Sequence, residues 1–122
     1  AYAYKKLLDE YGWLPLGTDF PVEYINPFYT FSSAVWRQDA EEYPEGGFQS
    51  ENALSRIEAL KGMTIWAAKS TFEEKEKGSI EVGKYADFIL TDIDFLKGAF
   101  LDVRNGKVNK TFVGGIEVYS KK

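Results

Sequence analysis

The apolar residues of this chain change their spacing at Gly78, and this change constrains the fold more than any other feature. Before Gly78, apolar side chains recur every three to four residues, as Tyr4, Leu7, Leu8 and Tyr11 do, which is typical of one face of a helix. After Gly78 they form short runs separated by turn residues, which predicts β-strands. Helices followed by strands, with no internal repeat, indicate an α+β fold.

A second helix is predicted to begin at Asn26-Pro27, where an N-cap acceptor precedes proline at the first helical position. We expect this helix to run to about Gln38. The acidic, glycine-rich residues 39–52 that follow predict a loop. Between the first two helices, the apolar run Trp13–Leu16 predicts a brief strand, although a proline within it cannot donate to a ladder.

A third helix is predicted from a capping box, because Ser55 is followed three residues later by Glu58. We expect Gly62 to end this helix, and Thr64 to cap a further short helix that reaches Phe72. The residues expected to face the core are Leu54, Ile57 and Leu60.

The last third of the chain predicts strands around Ile80 and Val82, another strand over Phe88–Leu90, and a terminal hairpin. The hairpin is indicated by Gly114-Gly115, because two glycines suit a two-residue turn with positive φ. The expected cross-strand pairs are Val113 with Ile116, Thr111 with Val118, Phe112 with Glu117, and Lys110 with Tyr119.

The composition limits the chemistry that the chain can perform alone. It contains no histidine and no cysteine, which excludes a Ser–His–Asp triad, a thiol nucleophile and a metal site built from imidazole or thiolate. Lysine and arginine total 15 against 19 aspartates and glutamates, so no basic excess is present to bind nucleic acid. No apolar run approaches the ~20 residues that span a bilayer, and no signal segment indicates a compartment. Because Ala1 lies inside a helical pattern, we expect the chain to be a piece of a longer protein.

Five parts of the chain carry a resemblance to a known family through their order and spacing. They are Gly17–Val22 with Asn26-Pro27, Ala34–Gln38, Leu54–Leu60 with Thr64–Ala68, Gly78–Phe88, and Val113–Tyr119. Together they resemble the C-terminal part of metal-dependent amidohydrolases, most closely amidohydrolase family 3, the group related to N-substituted formamide deformylase. The resemblance implies the last strand and helices of a (β/α)8 barrel over residues 1–77. It also implies C-terminal strands of a small β-sandwich domain over residues 78–122.

The same resemblance implies what the parent enzyme does. Such a barrel holds one or two divalent metals, often zinc, and a metal-bound hydroxide attacks the carbonyl of a small amide-type substrate. Asp19 stands where the family has its strand-eight aspartate, which binds metal and carries a proton to the leaving nitrogen. Since the other metal ligands are absent from the sequence, we expect neither a bound metal nor turnover in this chain alone.

Both candidate site residues have simpler interpretations. Asp19 could be a turn residue whose carboxylate caps neighbouring backbone N–H groups. Arg37 is a candidate for binding a substrate carboxylate, and the alternative is a helix-end cation that packs along its own neighbours.

Two functions therefore stay open. The chain is either the C-terminal segment of a hydrolase acting on C–N bonds, inactive in isolation, or a non-catalytic interaction or regulatory module of the exoenzyme-regulation type. In both cases a lone strand at Leu14–Leu16 and missing strand partners for Val108–Val113 would leave open edges. We therefore expect the chain to self-associate.

Overall fold

A computed structural model describes residues 2–122; Ala1, the first residue of the predicted 1–77 unit, lies outside the described residues. The helices are α1 (Tyr4–Tyr11), α2 (Pro27–Trp36), α3 (Arg56–Met63), α4 (Ile65–Ser70) and α5 (Phe100–Arg104), with a 3-10 turn at Ser50–Asn52. The strands are β1 (Phe88–Thr91), β2 (Val108–Val113) and β3 (Ile116–Ser120). They form one antiparallel sheet in the order β1-β2-β3, which confirms the predicted α+β class.

The core lies among the helices. Phe31, Ala59 and Val103 are completely buried there, and the ring of Phe95 meets that of Phe31 edge-on at 4.9 Å and stacks on Phe28 at 5.5 Å. Phe95 and Val103 come from the second half of the chain, so both halves build one core. The division of the chain at residues 77 and 78 into two enzyme domains stays a prediction.

The sheet stands apart from this core. The helices pack on one another, α2 against α3 and α5, whereas the strands mainly contact each other, and no helix packs broadly on the sheet. Antiparallel sheets are normally stabilised by covering at least one face. Within residues 2–122, therefore, no helix forms a second layer on the sheet. The central strand is β2, with partners on both sides, so the open edge expected at Val108–Val113 is wrong.

The helix starts predicted at Asn26 and Ser55 are confirmed. The Asn26 side chain accepts a hydrogen bond from the Phe28 N–H at 3.0 Å, and both bonds of the capping box between Ser55 and Glu58 are present. Helix α2 ends two residues before the predicted end, because Arg37 adopts a left-handed conformation with φ 54.

Three predictions about α3 and α4 need correction: which residues of α3 are buried, where α3 ends, and how α4 is capped. Ile57 was expected to face the core but is 57% exposed. Gly62 lies inside α3 instead of ending it. It is buried, and a Cβ added there would stand only 2.7 Å from Leu16 Cγ. The Thr64 hydroxyl donates back to the Leu60 carbonyl at 2.6 Å and so does not cap α4, which ends at Ser70.

The predicted strand at Trp13–Leu16 is wrong. The Leu16 N–H donates to the carbonyl of Gly62, in a helix, at 3.0 Å, and Leu14 and Leu16 pack against the helical core. The segment is therefore anchored on α3, and its neighbours are helical residues rather than strands.

The strand predictions after Gly78 are confirmed in part. Ile80 and Val82 form no strand and are fully or almost fully exposed. The hairpin around Gly114-Gly115 is confirmed, and its first two pairs, Val113 with Ile116 and Phe112 with Glu117, are as expected. Beyond them a bulge shifts the register, so that the pairs become Thr111 with Tyr119 and Lys110 with Ser120.

Candidate functional site

Asp19 lies in an exposed turn between α1 and α2. The turn is closed by the Val22 N–H, which donates to the Asp19 carbonyl at 2.9 Å. Asp19 has a φ of 51, in the left-handed region that aspartate tolerates better than most residues. Throughout residues 2–122 no hydrogen bond holds its carboxylate, and the neighbouring Phe20 N–H is instead satisfied by the Thr18 hydroxyl at 3.3 Å. The carboxylate is therefore free to act on something outside the turn.

The residues that follow Asp19 are apolar and also exposed. Phe20, Val22, Tyr24 and Ile25 each have between 61% and 78% of their surface accessible. A carboxylate in such a turn stays hydrated, since nothing around it excludes water. Residues 2–122 do not enclose a reaction site at Asp19.

Arg37 is engaged with its own chain. Its Nε donates to the Phe48 carbonyl and its Nη1 to the Tyr2 carbonyl at 3.3 Å. The guanidinium also lies 6.0 Å from the centre of the Tyr4 ring and 5.8 Å from that of Phe48. Arg37 thus fastens the acidic loop and the start of α1 to the end of α2. No hydrogen bond or ion pair joins it to Asp19 in residues 2–122, and its role in substrate binding stays a prediction.

Two of the ionisable groups with shifted pKa values are Lys5 and Glu58. Lys5 bridges Asp9 at 2.8 Å and Glu58 at 2.9 Å, which links α1 to α3. Hydrogen bonds to Asp9 and Glu58 raise the pKa of Lys5 above its usual value. Burial by itself would raise the pKa of Glu58, but hydrogen bonds from Lys5 and Ser55 outweigh it and hold that pKa below its usual value. These contacts stabilise the fold and do not form a reactive pair.

Sequence analysis missed Arg56, although it lies in one of the family-like segments. Its Nη1 donates to the carbonyls of Phe95 at 2.9 Å and Gly98 at 2.8 Å, and its guanidinium lies 4.6 Å from the Trp36 ring centre. Arg56 thereby ties α3 to the connection between β1 and α5. A signal was available, because an arginine near the start of a family-like helix was part of the matched pattern.

Asp87, in another family-like segment, has a comparable structural role. Its Oδ1 accepts the Gly114 N–H at 2.7 Å, and the Gly115 N–H donates to the Ala86 carbonyl at 3.0 Å. The hairpin turn is therefore fixed to the start of β1. These motif residues position elements of the fold and leave Asp19 as the candidate for chemistry.

The donor set of this chain does not fit a catalytic zinc. Within residues 2–122 no group of three or more aspartates or glutamates is placed to hold a metal ion, and the sequence offers no histidine or cysteine. A catalytic zinc takes three protein ligands, whereas Asp19 supplies one carboxylate. Any such metal would need ligands from outside these residues.

An open acidic depression of about 490 Å³ lies between β1 and α5. It is lined in part by Asp92, Asp94 and Asp102. Two of these carboxylates already accept backbone hydrogen bonds, Asp92 from the Lys107 N–H at 2.9 Å and Asp94 from the Leu96 N–H at 2.8 Å. These two carboxylates therefore stabilise turns.

In the part of the chain that the structure covers, no helix has the length and apolar character needed to cross a bilayer.

Comparison with known proteins identifies the family. The chain is 33% identical to protein LONG AFTER FAR-RED 3 of Arabidopsis thaliana, over 98% of this chain and 20% of that protein. It is 29% identical to YtcJ of Bacillus subtilis, named as an amidohydrolase, over 99% of this chain and 23% of the relative. It is also 29% identical to N-substituted formamide deformylase of Arthrobacter pascens, over 96% of this chain and 21% of that enzyme.

The chain thus spans about a fifth of the length of these relatives. No solved structure matches it. The amidohydrolase family matches residues 1–119, which is nearly the whole sequence. This chain therefore belongs to the amidohydrolase family, as a member of amidohydrolase family 3.

Proposed function

We propose that this chain forms the C-terminal part of a hydrolase acting on C–N bonds of the amide type. Residues 1–77 would complete a (β/α)8 barrel, and residues 78–122 would contribute strands to a small β-sandwich. The observation that carries this proposal is the family match over residues 1–119. One relative is named for removing formyl groups from N-substituted formamides, which breaks a C–N bond, and another is named an amidohydrolase.

In this proposal Asp19 carries the proton that the leaving nitrogen needs. Its carboxylate is exposed and forms no hydrogen bond within the described residues, and its backbone is in the left-handed region. A carboxylate in that state can accept a proton from the water that attacks the amide carbonyl and then release it to the leaving nitrogen as the C–N bond breaks. Because residues 2–122 bring no three carboxylates together and the sequence has no histidine or cysteine, the ion and most of its site would be supplied by other residues of a longer polypeptide.

The physical consequence is that the 122 residues alone should be inactive. Asp19 is hydrated here, and proton transfer contributes to catalysis only when the donor is aligned with a bound substrate in an enclosed site. Activity would require other parts of the longer polypeptide to cover the exposed turn that contains Asp19.

The test uses the complete reading frame that encodes this segment, assayed on simple N-acyl and N-formyl amides with added zinc. Asp19→Asn should lower kcat at least 100-fold, since a neutral amide cannot accept the proton. Glu23→Gln is a matched control, because it neutralises an exposed carboxylate in the same loop, and its kcat should stay within about twofold. Near-normal turnover by Asp19→Asn, or turnover by the 122 residues alone, would contradict the proposal.

The second candidate is a non-catalytic interaction or regulatory module. One observation favours it. LONG AFTER FAR-RED 3 is 33% identical to this chain, more than the other two relatives described above, and its name specifies no reaction. A reading frame that starts close to Ala1 would favour this candidate. A frame of barrel length that encodes a His-x-His pair near its start would favour the hydrolase.

A further inference from the structure

The loop that contains Asp19 has few polar links to the rest of the chain. Within residues 2–122 its hydrogen bonds are local, since the Val22 N–H donates to the Asp19 carbonyl and the Phe20 N–H to the Thr18 hydroxyl. No ion pair there joins residues 19–25 to another element. The position of the loop relative to the core therefore depends on side-chain packing and on the chain that continues into α2.

One packing contact of the loop is made by Tyr24. The rings of Tyr24 and Tyr29 meet edge-on, with 6.3 Å between their centres and 86° between their planes. Tyr29 lies in the first turn of α2, whose start is fixed by the Asn26 cap. This arrangement is favourable because the positive edge of one aromatic ring meets the negative face of the other. It fastens the loop to the start of α2.

Tyr29 has a second partner, from the other end of the chain. Arg104 is the last residue of α5, and its guanidinium lies 4.2 Å from the Tyr29 ring centre. A cation over an aromatic face is attracted by the electron density of the ring. Both side chains are half-buried, which limits the competition from water. Tyr24, Tyr29 and Arg104, here called the Tyr29 link, thus connect the Asp19 loop to α5.

We propose that Arg104 and Tyr29 are positioning residues for the Asp19 carboxylate, and that they act through Tyr24. The far end of the link is held by the core, because α5 packs against α2 and Val103, next to Arg104, is completely buried. The inference rests on the proposed role of Asp19 in proton transfer. Such a step is sensitive to small displacements of the reacting group, so residues that order the loop affect its rate.

The first test measures the order of the loop in the 122-residue chain and needs no activity. Chymotrypsin cleaves after exposed aromatic residues, and its rate follows the population in which the cleaved segment opens. Tyr24 is a suitable site at 78% exposure, and Phe72, at 94%, lies outside the loop and gives an internal reference. Tyr29→Leu and Arg104→Met should each raise the rate of cleavage after Tyr24, relative to that after Phe72, by about threefold or more.

Two variants serve as controls for this measurement. Tyr29→Phe keeps the ring and should leave the cleavage ratio within about 1.5-fold of that of the unmodified chain. Lys107→Met removes an exposed cation close to Arg104 in sequence and should also leave the ratio unchanged. Circular dichroism of each variant checks that the fold is retained.

The second test uses the complete reading frame. Tyr29→Leu and Arg104→Met should each lower kcat by about fivefold or more and change KM by less than about twofold, because the link orders a reacting group and does not bind substrate. Tyr29→Phe should restore kcat. A residue that only stabilises the fold would lower the amount of active enzyme without this dependence on the ring.

Unchanged cleavage ratios in Tyr29→Leu and Arg104→Met, or equal rises in Tyr29→Phe and Tyr29→Leu, would overturn the inference. It would also be overturned if both variants kept normal kcat in a frame that Asp19→Asn inactivates, an outcome that leaves the proposed hydrolase intact. Normal turnover by Asp19→Asn would instead contradict the proposed function, and with it the role of the link in catalysis. The cleavage ratio would then still decide whether Arg104 and Tyr29 order the loop.

Discussion

Arg56 should be one of the most important polar residues for stability, and this can be tested by removing only its charge and hydrogen bonds. We consider Arg56→Met, which retains most of the aliphatic volume. The change removes two bonds from a charged donor, to the carbonyls of Phe95 at 2.9 Å and Gly98 at 2.8 Å. It also removes the stacking of the guanidinium on Trp36 at 4.6 Å.

The expected loss can be worked out from these contacts. A hydrogen bond to a charged group contributes about 1.5–3 kcal/mol, and an exposed cation–π contact about 0.5–1 kcal/mol. Arg56 is half-buried, so the lower values apply, and together they give about 3–4 kcal/mol. For a chain of this length, that corresponds to a fall in Tm of roughly 12–15 °C.

The assay is urea unfolding followed by circular dichroism, at a protein concentration low enough to keep the chain monomeric. Arg104→Met is the matched control. The Arg104 guanidinium lies 4.2 Å from the Tyr29 ring centre, and within residues 2–122 its side chain forms no hydrogen bond or ion pair. Its loss should cost about 1 kcal/mol or less. If the free energy of unfolding of Arg56→Met is within about 1 kcal/mol of that of the unmodified chain, the contacts of Arg56 between α3 and the β1–α5 connection do not stabilise the fold.

Two further predictions concern the helical half. Gly62→Ala should destabilise the fold by about 1–3 kcal/mol in urea unfolding, because the new Cβ would stand 2.7 Å from Leu16 Cγ; unchanged stability would show that Leu16 can move away. Glu58 has a lowered pKa in the folded state, so its contribution to stability is complete above its usual value of 4.5 and is lost as the pH falls through the lower folded value. Glu58→Gln should therefore lose less stability than the unmodified chain on acidification below pH 4.5, and parallel losses would contradict this assignment.

Local sequence rules predicted those elements whose signals act over a few residues. Asn26 and Ser55 cap helices because a side-chain oxygen meets N–H groups two or three residues away. Gly114-Gly115 forms the hairpin turn because glycine adopts positive φ without cost. The register was wrong beyond Phe112, since a bulge is not encoded by alternation alone.

The wrong strand prediction and the missed helix α5 share a different cause, which is that both segments depend on contacts with residues distant in sequence. Trp13–Leu16 has an apolar composition typical of a strand, but its hydrogen-bond partner is Gly62, far along the chain. Helix α5 was not predicted because its five residues are too few for a periodic signal, and it is stabilised by burying Phe100 and Val103. Of the candidate site, the sequence identified the family and singled out Asp19 and Arg37.

By itself, the sequence determined the family, the α+β class, the capped helix starts and the absence of histidine and cysteine ligands, because each of these depends on residue identity or on neighbours within one turn. Only the tertiary structure decided that Arg37 fastens the chain's own loop and that Arg56 joins the two halves. These features depend on contacts between residues distant in sequence, and such contacts form only when burial of the whole core offsets the entropy of closing the intervening loops.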